Sequence, residues 1–196
     1  MSDPEVSGVR TFGADVLLEG AHTALRPFRS SDAESVTAAI EAREGFLPAN
    51  APTGATGVGW WLSEGVQQVR TSGWGIHLAV IDRATGTLAG TIGLFRADWV
   101  ARTAEVGYGV RPAWRGRGIA TDALRTLAPW AIHECGLRRV ELRADTANVA
   151  SIRVAEKAGF TREGVLRHVE AGPDGNLDQV VFSVITADLA SADRRP

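Results

Sequence analysis

The sequence predicts an α/β (α+β) fold: a mixed central β-sheet of about seven strands with helices packed on its faces. Two observations carry this expectation. The apolar period switches back and forth between two and about 3.6, in the order β-α-α-β-β-β-α-β-α-β-β. In the middle of that pattern, "RPAWRGRGIATDA" (Arg111 to Ala123) carries a strand straight into a helix through three arginines and two glycines. The chain of 196 residues, 44% hydrophobic and 22% charged, can bury one proper core. Residues 21–190 read as a single domain, residues 1–20 as a loose polar arm and residues 191–196 as a tail.

"HTALRPF" (His22 to Phe28) alternates as a short strand. In "SSDAESVTAAIEA", Ser31 and Glu34 stand three apart, as in a capping box, and Val36, Ala39 and Ile40 share an inner face. Glu44 to Gly57 reads as a loop. A second helix is expected over Val58 to Arg70, although Gly59 and Gly65 cost it about 1 kcal/mol each. "WGIHLAVID" (Trp74 to Asp82) and "LAGTIGLF" (Leu88 to Phe95) flank the hairpin signal "RATGT", and "TAEVGYGV" (Thr103 to Val110) is a third strand. The basic loop precedes a helix from Ile119 to about Glu134, where Pro129 should kink or shorten it. "RRVELRA" (Arg138 to Ala144) is a strand. "NVASIRVAEKA" (Asn148 to Ala158) is a helix ended by Gly159 in left-handed conformation. "FTREGVLRHVEA" and "QVVFSVIT" are strands around the turn "GPDGN".

Bulk properties exclude several classes. A net charge of −2 argues against general nucleic-acid binding. No run approaches the roughly 18 apolar residues of a membrane span. The first ten residues lack the apolar stretch of a signal peptide. A single cysteine, Cys135, rules out an intramolecular disulfide. Neither HExxH nor paired cysteines mark a metal site. The expectation is a cytoplasmic protein without metal, nucleic-acid or membrane partners.

The basic loop is suited to one small anion. A nucleoside-triphosphate loop would need Gly-Lys-Ser/Thr, which is absent. A dinucleotide fingerprint would need a third glycine where Thr121 stands. Arg-x-x-Gly-x-Ala is met by Arg115, Gly118 and Ala120. There Gly118 permits a tight turn, Ala120 leaves room, and free N–H groups from Arg117 to Thr121 face the phosphates at a helix N-terminus.

Together, "AEVGYGVRPAWRGRGIATDAL" and "RVELRADTANVASIRVAEKAGFTREGVLR" resemble the GNAT N-acetyltransferase superfamily. "LRPF", "EVGY", Asn148 with Ser151, and "EKAGF" are most similar to its ribosomal-protein N-terminal (RimJ/RimL-like) subfamily. The resemblance covers about His22 to Asp188. It implies the GNAT fold, splayed at a β-bulge beside the coenzyme A loop, with acetyl-coenzyme A as donor. Arg115, Gly116, Arg117, Gly118, Ile119, Ala120 and Thr121 would hold the pyrophosphate. The strand ending at Val110 would pair with the pantetheine arm, and Asn148 would touch that arm. Gly107 and Gly109 would permit the bulge, or simply relieve crowding.

The same resemblance makes Ser151 the candidate proton donor to the departing thiolate, with Tyr108 as runner-up. Glu170 and Glu105 are the candidate bases, although an α-amine needs less help than a lysine. His77, His168 and Cys135 read as structural. The acceptor should lie near Phe46, Trp60, Trp61 and Trp74, under a lid at Glu44 to Gly57. The expected acceptor is a peptide N-terminus or a small-molecule amine, and a homodimer through the C-terminal elements is a further expectation. The remaining readings are transfer of another acyl group, a non-catalytic acyl-coenzyme A binder, and a dinucleotide oxidoreductase.

Overall fold

Strand alternation produces a sheet with two buried faces. In β3 (Ile76–Asp82), Ile76, Leu78 and Val80 enter one core, while Ala79 and Ile81 enter the other. The computed structural model describes residues 10–172 and 175–192. Besides β3 it contains β1 (Leu18–Glu19), β2 (Thr23–Pro27), β4 (Thr87–Asp98), β5 (Thr103–Val110), β6 (Arg139–Asp145), β7 (Thr161–Gly172) and β8 (Gly175–Ile185). These form one eight-stranded sheet in the order β1-β2-β3-β4-β5-β6-β8-β7. Only β5 and β6 run parallel among the neighbouring pairs.

Helices cover both faces. On one lie α1 (Ala33–Glu41) and a continuous helix made of α2 (Val58–Trp60), a π-helical stretch (Trp61–Gly65) and α3 (Val66–Thr71). On the other lie α4 (Ile119–His133) and α5 (Val149–Ala158). A last helix, α6 (Thr186–Ala192), follows β8 and crosses the expected start of the tail. Among the described residues, no helix is long and apolar enough to cross a membrane.

Several expectations are corrected. The part of the arm that is described is packed: Phe12 is 1% exposed against Trp99 and Trp130, and β1 adds an eighth strand. Residues 1–9, Pro173 and Asp174 of the expected turn, and residues 193–196 lie outside the described residues. The first helix is not capped by Ser31. Buried Asp32 holds the N-cap position but makes no side-chain bond into the helix; its carboxylate turns back to accept the Arg29 N–H (2.8 Å) and two bonds from the Arg26 guanidinium (2.8 and 2.7 Å). A paired carboxylate makes stronger bonds than a neutral hydroxyl. Pro129 does not shorten α4, which continues to His133 with Ala128, Ala131 and Ile132 buried around the proline. Burial of that stripe outweighs one lost hydrogen bond.

The expected opening of the sheet is present, but the bulge lies elsewhere. β4 and β5 keep unbroken register from Gly90–Val110 to Phe95–Glu105, through both Gly107 and Gly109. The irregularity falls in β4 between Phe95 and Asp98, where Arg96 has a φ of 53°. β5 and β6 pair only at Thr103–Arg139, Ala104–Val140 and Glu105–Glu141, then diverge. A row of charges crosses the sheet at this joint: Arg96–Glu105 (2.9 Å), Glu105–Arg143 (3.8 Å), Arg143–Glu141 (2.7 Å), Glu141–Arg139 (2.7 Å) and Arg139–Glu163 (2.5 Å). Arg139, helped by a bond donated from the Ser183 hydroxyl, holds the Glu163 carboxyl down to about 2.

Asp122, in the first turn of α4, fixes the start of β2. It accepts N–H bonds from Ala21 (3.1 Å), His22 (2.9 Å) and Thr23 (2.8 Å), and the Thr23 hydroxyl (2.8 Å). Asp122→Asn should lower stability by about 1–3 kcal/mol, because the amide leaves some of these donors unpaired. Urea unfolding followed by tryptophan fluorescence measures this. An unchanged midpoint would mean that the four bonds carry no net stability.

Candidate active site

The basic loop gets its shape from two left-handed glycines. After Val110, residues Pro112–Trp114 make a short 3-10 turn, and Arg115 is extended. Gly116 and Gly118 then adopt φ values of 75° and 81°, which other residues reach only at a cost. A Cβ at either position would meet nothing within 4 Å, so the backbone conformation, not space, calls for glycine. The first bond of α4 runs from the Asp122 N–H to the Gly118 carbonyl (2.9 Å), so the N–H groups just before it are unclaimed by the helix.

These groups open into a groove of about 780 Å³. All the expected donor-site residues line it: Val110, the loop from Arg115 to Thr121, and Asn148. Its basic side chains are Arg115, Arg117, Arg125, Arg153 and Lys157, against one carboxylate, Asp122, already engaged with β2. A polyanionic ligand such as coenzyme A fits this lining. Arg115 itself turns inward, donating to the carbonyls of Val110 (3.1 Å) and Glu44 (3.4 Å), so it braces the loop.

Asn148 caps α5 as expected, accepting the Ser151 N–H at 3.0 Å. Ser151 lies in the groove one turn on. Tyr108 projects between them and a second cavity. Its hydroxyl is buried beside the Ser151 hydroxyl and meets no partner at full hydrogen-bond geometry. Burial raises this phenol above its ordinary value, and the adjacent Ser151 hydroxyl offsets part of the rise. Tyr108 is therefore protonated at neutral pH, with its donor unspent.

The second cavity, about 510 Å³, lies under the segment from Gly45 to Asn50 and meets the groove at Gly45, Tyr108 and Gly109. Gly109 is required by close approach: a Cβ there would stand 2.1 Å from the Phe46 carbonyl oxygen. Phe46 and Trp74 line this cavity as expected, but Trp61 is core at 1% exposure and Trp60 faces solvent.

Arg111 joins the two regions. Its guanidinium grips Glu44 at 2.7 and 2.9 Å and lies over the rings of Phe46 (5.8 Å) and Trp114 (5.4 Å). That bond holds the Glu44 carboxyl below its usual range. The sequence reading missed this pair, since 67 residues separate its members. It also missed Asp122, although an acidic residue in a first helical turn is a readable signal.

The candidate bases stand apart from both cavities. Glu105 is held by Arg96 and Arg143, and Glu170 on exposed β7 accepts a bond from the Gln179 amide. Neither lines the groove or the second cavity. His168 is an exposed residue with a φ of 54° in an irregular part of β7. The Cys135 thiol, pushed up to about 12 by burial, stays protonated. Among the described residues, no cluster of histidine, cysteine and carboxylate suits a metal ion.

His77, read as structural, lines the second cavity. Burial holds its imidazole down to about 4 from an ordinary 6.5. Between those values the unfolded chain binds a proton that the folded chain refuses. Stability should thus be complete above pH 6.5 and fall as pH drops toward 4, by at most about 3 kcal/mol. Urea unfolding at pH 7 and 4.5 measures the slope, and His77→Gln should flatten it. Equal slopes in both proteins would place the imidazole in water.

Comparison with known proteins shows the family. The family model described as "Acetyltransferase (GNAT) domain" matches residues 22–161. "Probable N-acetyltransferase YjcK" of Bacillus subtilis (strain 168) is 39% identical over 92 residues, 46% of this chain and 51% of that protein. The ribosomal-protein-serine acetyltransferase of Escherichia coli (strain K12) is 34% identical over 98 residues, 50% and 55% of the two chains. The matched segments thus span about half the length of these relatives. A solved structure described as "Probable acetyltransferase" superposes with a TM-score of 0.76 at 27% identity, covering 88% of this chain and 98% of its own. The chain belongs to the GNAT acetyltransferase family.

Proposed function

We propose that this protein moves the acetyl group of acetyl-coenzyme A to a primary amine, on a peptide N-terminus or a small molecule, by direct attack in a ternary complex. The observation that carries this reading is the junction of the two cavities at Tyr108 and Gly109, with an unspent phenol donor in it. One cavity suits a polyanionic donor, and the other is open to an acceptor.

The chain's own groups supply what the reaction needs. The loop N–H groups and Arg117 hold the phosphates. Beyond Glu105, β5 has no β6 partner, so its outward N–H and C=O groups can pair with the amides of the donor arm up to Val110. A β5 N–H facing the thioester oxygen would stabilise the charge that develops there. As the amine nitrogen bonds the acyl carbon, the carbon–sulfur bond breaks and Tyr108 gives its proton to the sulfur. Ser151 stands beside Tyr108 as the second candidate donor. The amine's surplus proton passes to water, which returns one to the Tyr108 phenolate and closes the cycle; an α-amine near 7.7–8.0 is already partly neutral. No role is assigned to Glu105 or Glu170.

Tyr108→Phe should lower kcat about a hundredfold while leaving acetyl-coenzyme A affinity nearly unchanged. Ser151→Ala should cost less. Stopped-flow detection of released thiol, with donor affinity from calorimetry, checks both. Wild-type turnover in Tyr108→Phe would remove its role. Tight donor binding without turnover of any amine would make the protein a non-catalytic acyl-coenzyme A binder. Arg115→Ala with Arg117→Ala should weaken donor binding and reduce its salt dependence; an unchanged Kd would rule out phosphate contacts.

A further inference from the structure

The acceptor cavity has a distinctive charge pattern. No carboxylate lines it, and Arg96 is the single charged residue among its described walls. Trp74 and Phe95 form a tilted pair with ring centroids 6.0 Å apart, and Trp74 is 48% exposed. Phe46 and Tyr108 add two more aromatic walls. His77, the remaining titratable wall, is neutral at physiological pH. A cation entering this space would lose water and find no counter-charge.

Arg96 is held in an uncommon conformation. It sits at the irregularity in β4 with a φ of 53°, a region that other residues rarely occupy. Its guanidinium lies over the Phe95 ring (5.9 Å), and one Nη1 donates to Glu105 (2.9 Å). A guanidinium has five N–H donors, and this side chain is 62% exposed. The remaining donors are open to a second anion at the cavity.

We infer that the acceptor is a monoamine bearing a planar aromatic group and an anionic group, in the manner of an aromatic amino acid or a peptide beginning with one. This inference rests on the acetyltransferase reading above and narrows its substrate class. The aromatic group packs against Trp74 and Phe95, Arg96 receives the anion, and the amine points to Tyr108. Polyamines and aminoglycosides, which present several cations, are rejected by the same walls.

The test is a steady-state comparison of amines with saturating acetyl-coenzyme A. The panel holds phenylalanine, tryptophan, the dipeptide Phe-Gly, phenylalaninamide, spermidine and kanamycin, with wild-type protein and Arg96→Gln. The aromatic acids should exceed spermidine and kanamycin in kcat/KM by a hundredfold or more. Replacing carboxylate by amide should cost wild type at least tenfold, mostly in KM. Arg96→Gln should erase the acid–amide difference, the acids falling at least tenfold further than the amide, a pattern that loss of structure would not give. Preference for spermidine or kanamycin overturns the inference and leaves the acetyltransferase reading intact. An acid–amide difference that survives in Arg96→Gln removes the assigned role of Arg96. Donor binding with no turnover of any amine overturns both.

Discussion

Three parallel residue pairs between β5 and β6 hold the two halves of the sheet together, and everything functional depends on their being so few. Parallel pairing is slightly weaker per residue than antiparallel pairing. Here it stops after Glu105–Glu141. Beyond that point β5 presents an unpaired edge inside the molecule, which would be a liability on the surface. In this protein the edge faces the groove, where a ligand with amide groups can satisfy it. The row of alternating charges from Arg96 to Glu163 crosses five strands at the joint. Most of its members are part-exposed, so each pair contributes little alone; as a network they fix where pairing ends.

The same economy governs the loops. One guanidinium, Arg111, ties the end of β5 to the segment roofing the acceptor cavity through Glu44. Arg115 reaches the backbone of the same residue. The donor loop and the cavity roof are therefore one mechanical unit, and Phe46 rests its carbonyl where Gly109 has no side chain. A glycine that the family resemblance assigned to a bulge is here first a seat for the roof.

Much of this was legible in the sequence because it is local. The loop glycines, the Asn148 cap, the Gly159 terminus at a φ of 90° and β5 (Thr103–Val110) follow from short-range patterns, and the structure agrees. What was not legible depends on partners far apart in the chain. Asp32, not Ser31, stands at the N-cap position, with its carboxylate drawn back to Arg26. Pro129 is tolerated because α4 is buried on both sides of it. Glu105 looked like a base until its neighbours in β4 and β6 were placed. The orphaned hydroxyl of Tyr108 and the depressed imidazole of His77 arise from burial, which no spacing rule reveals.

Among the described residues, the groove and the second cavity have Gly45, Tyr108 and Gly109 in common. The groove draws on the basic loop, α4 and α5, whereas the cavity draws on the roof, α3, β3 and β4. The two halves of the proposed chemistry are thus written in nearly separate alphabets. Changes at the α3, β3 and β4 walls, away from Tyr108 and from the roof that Arg111 ties to the basic loop, touch no residue that lines the groove. Under the proposed function such a scaffold can diverge in what it modifies while keeping one source of acyl groups, and the price of each new specificity is confined to a few cavity-lining positions.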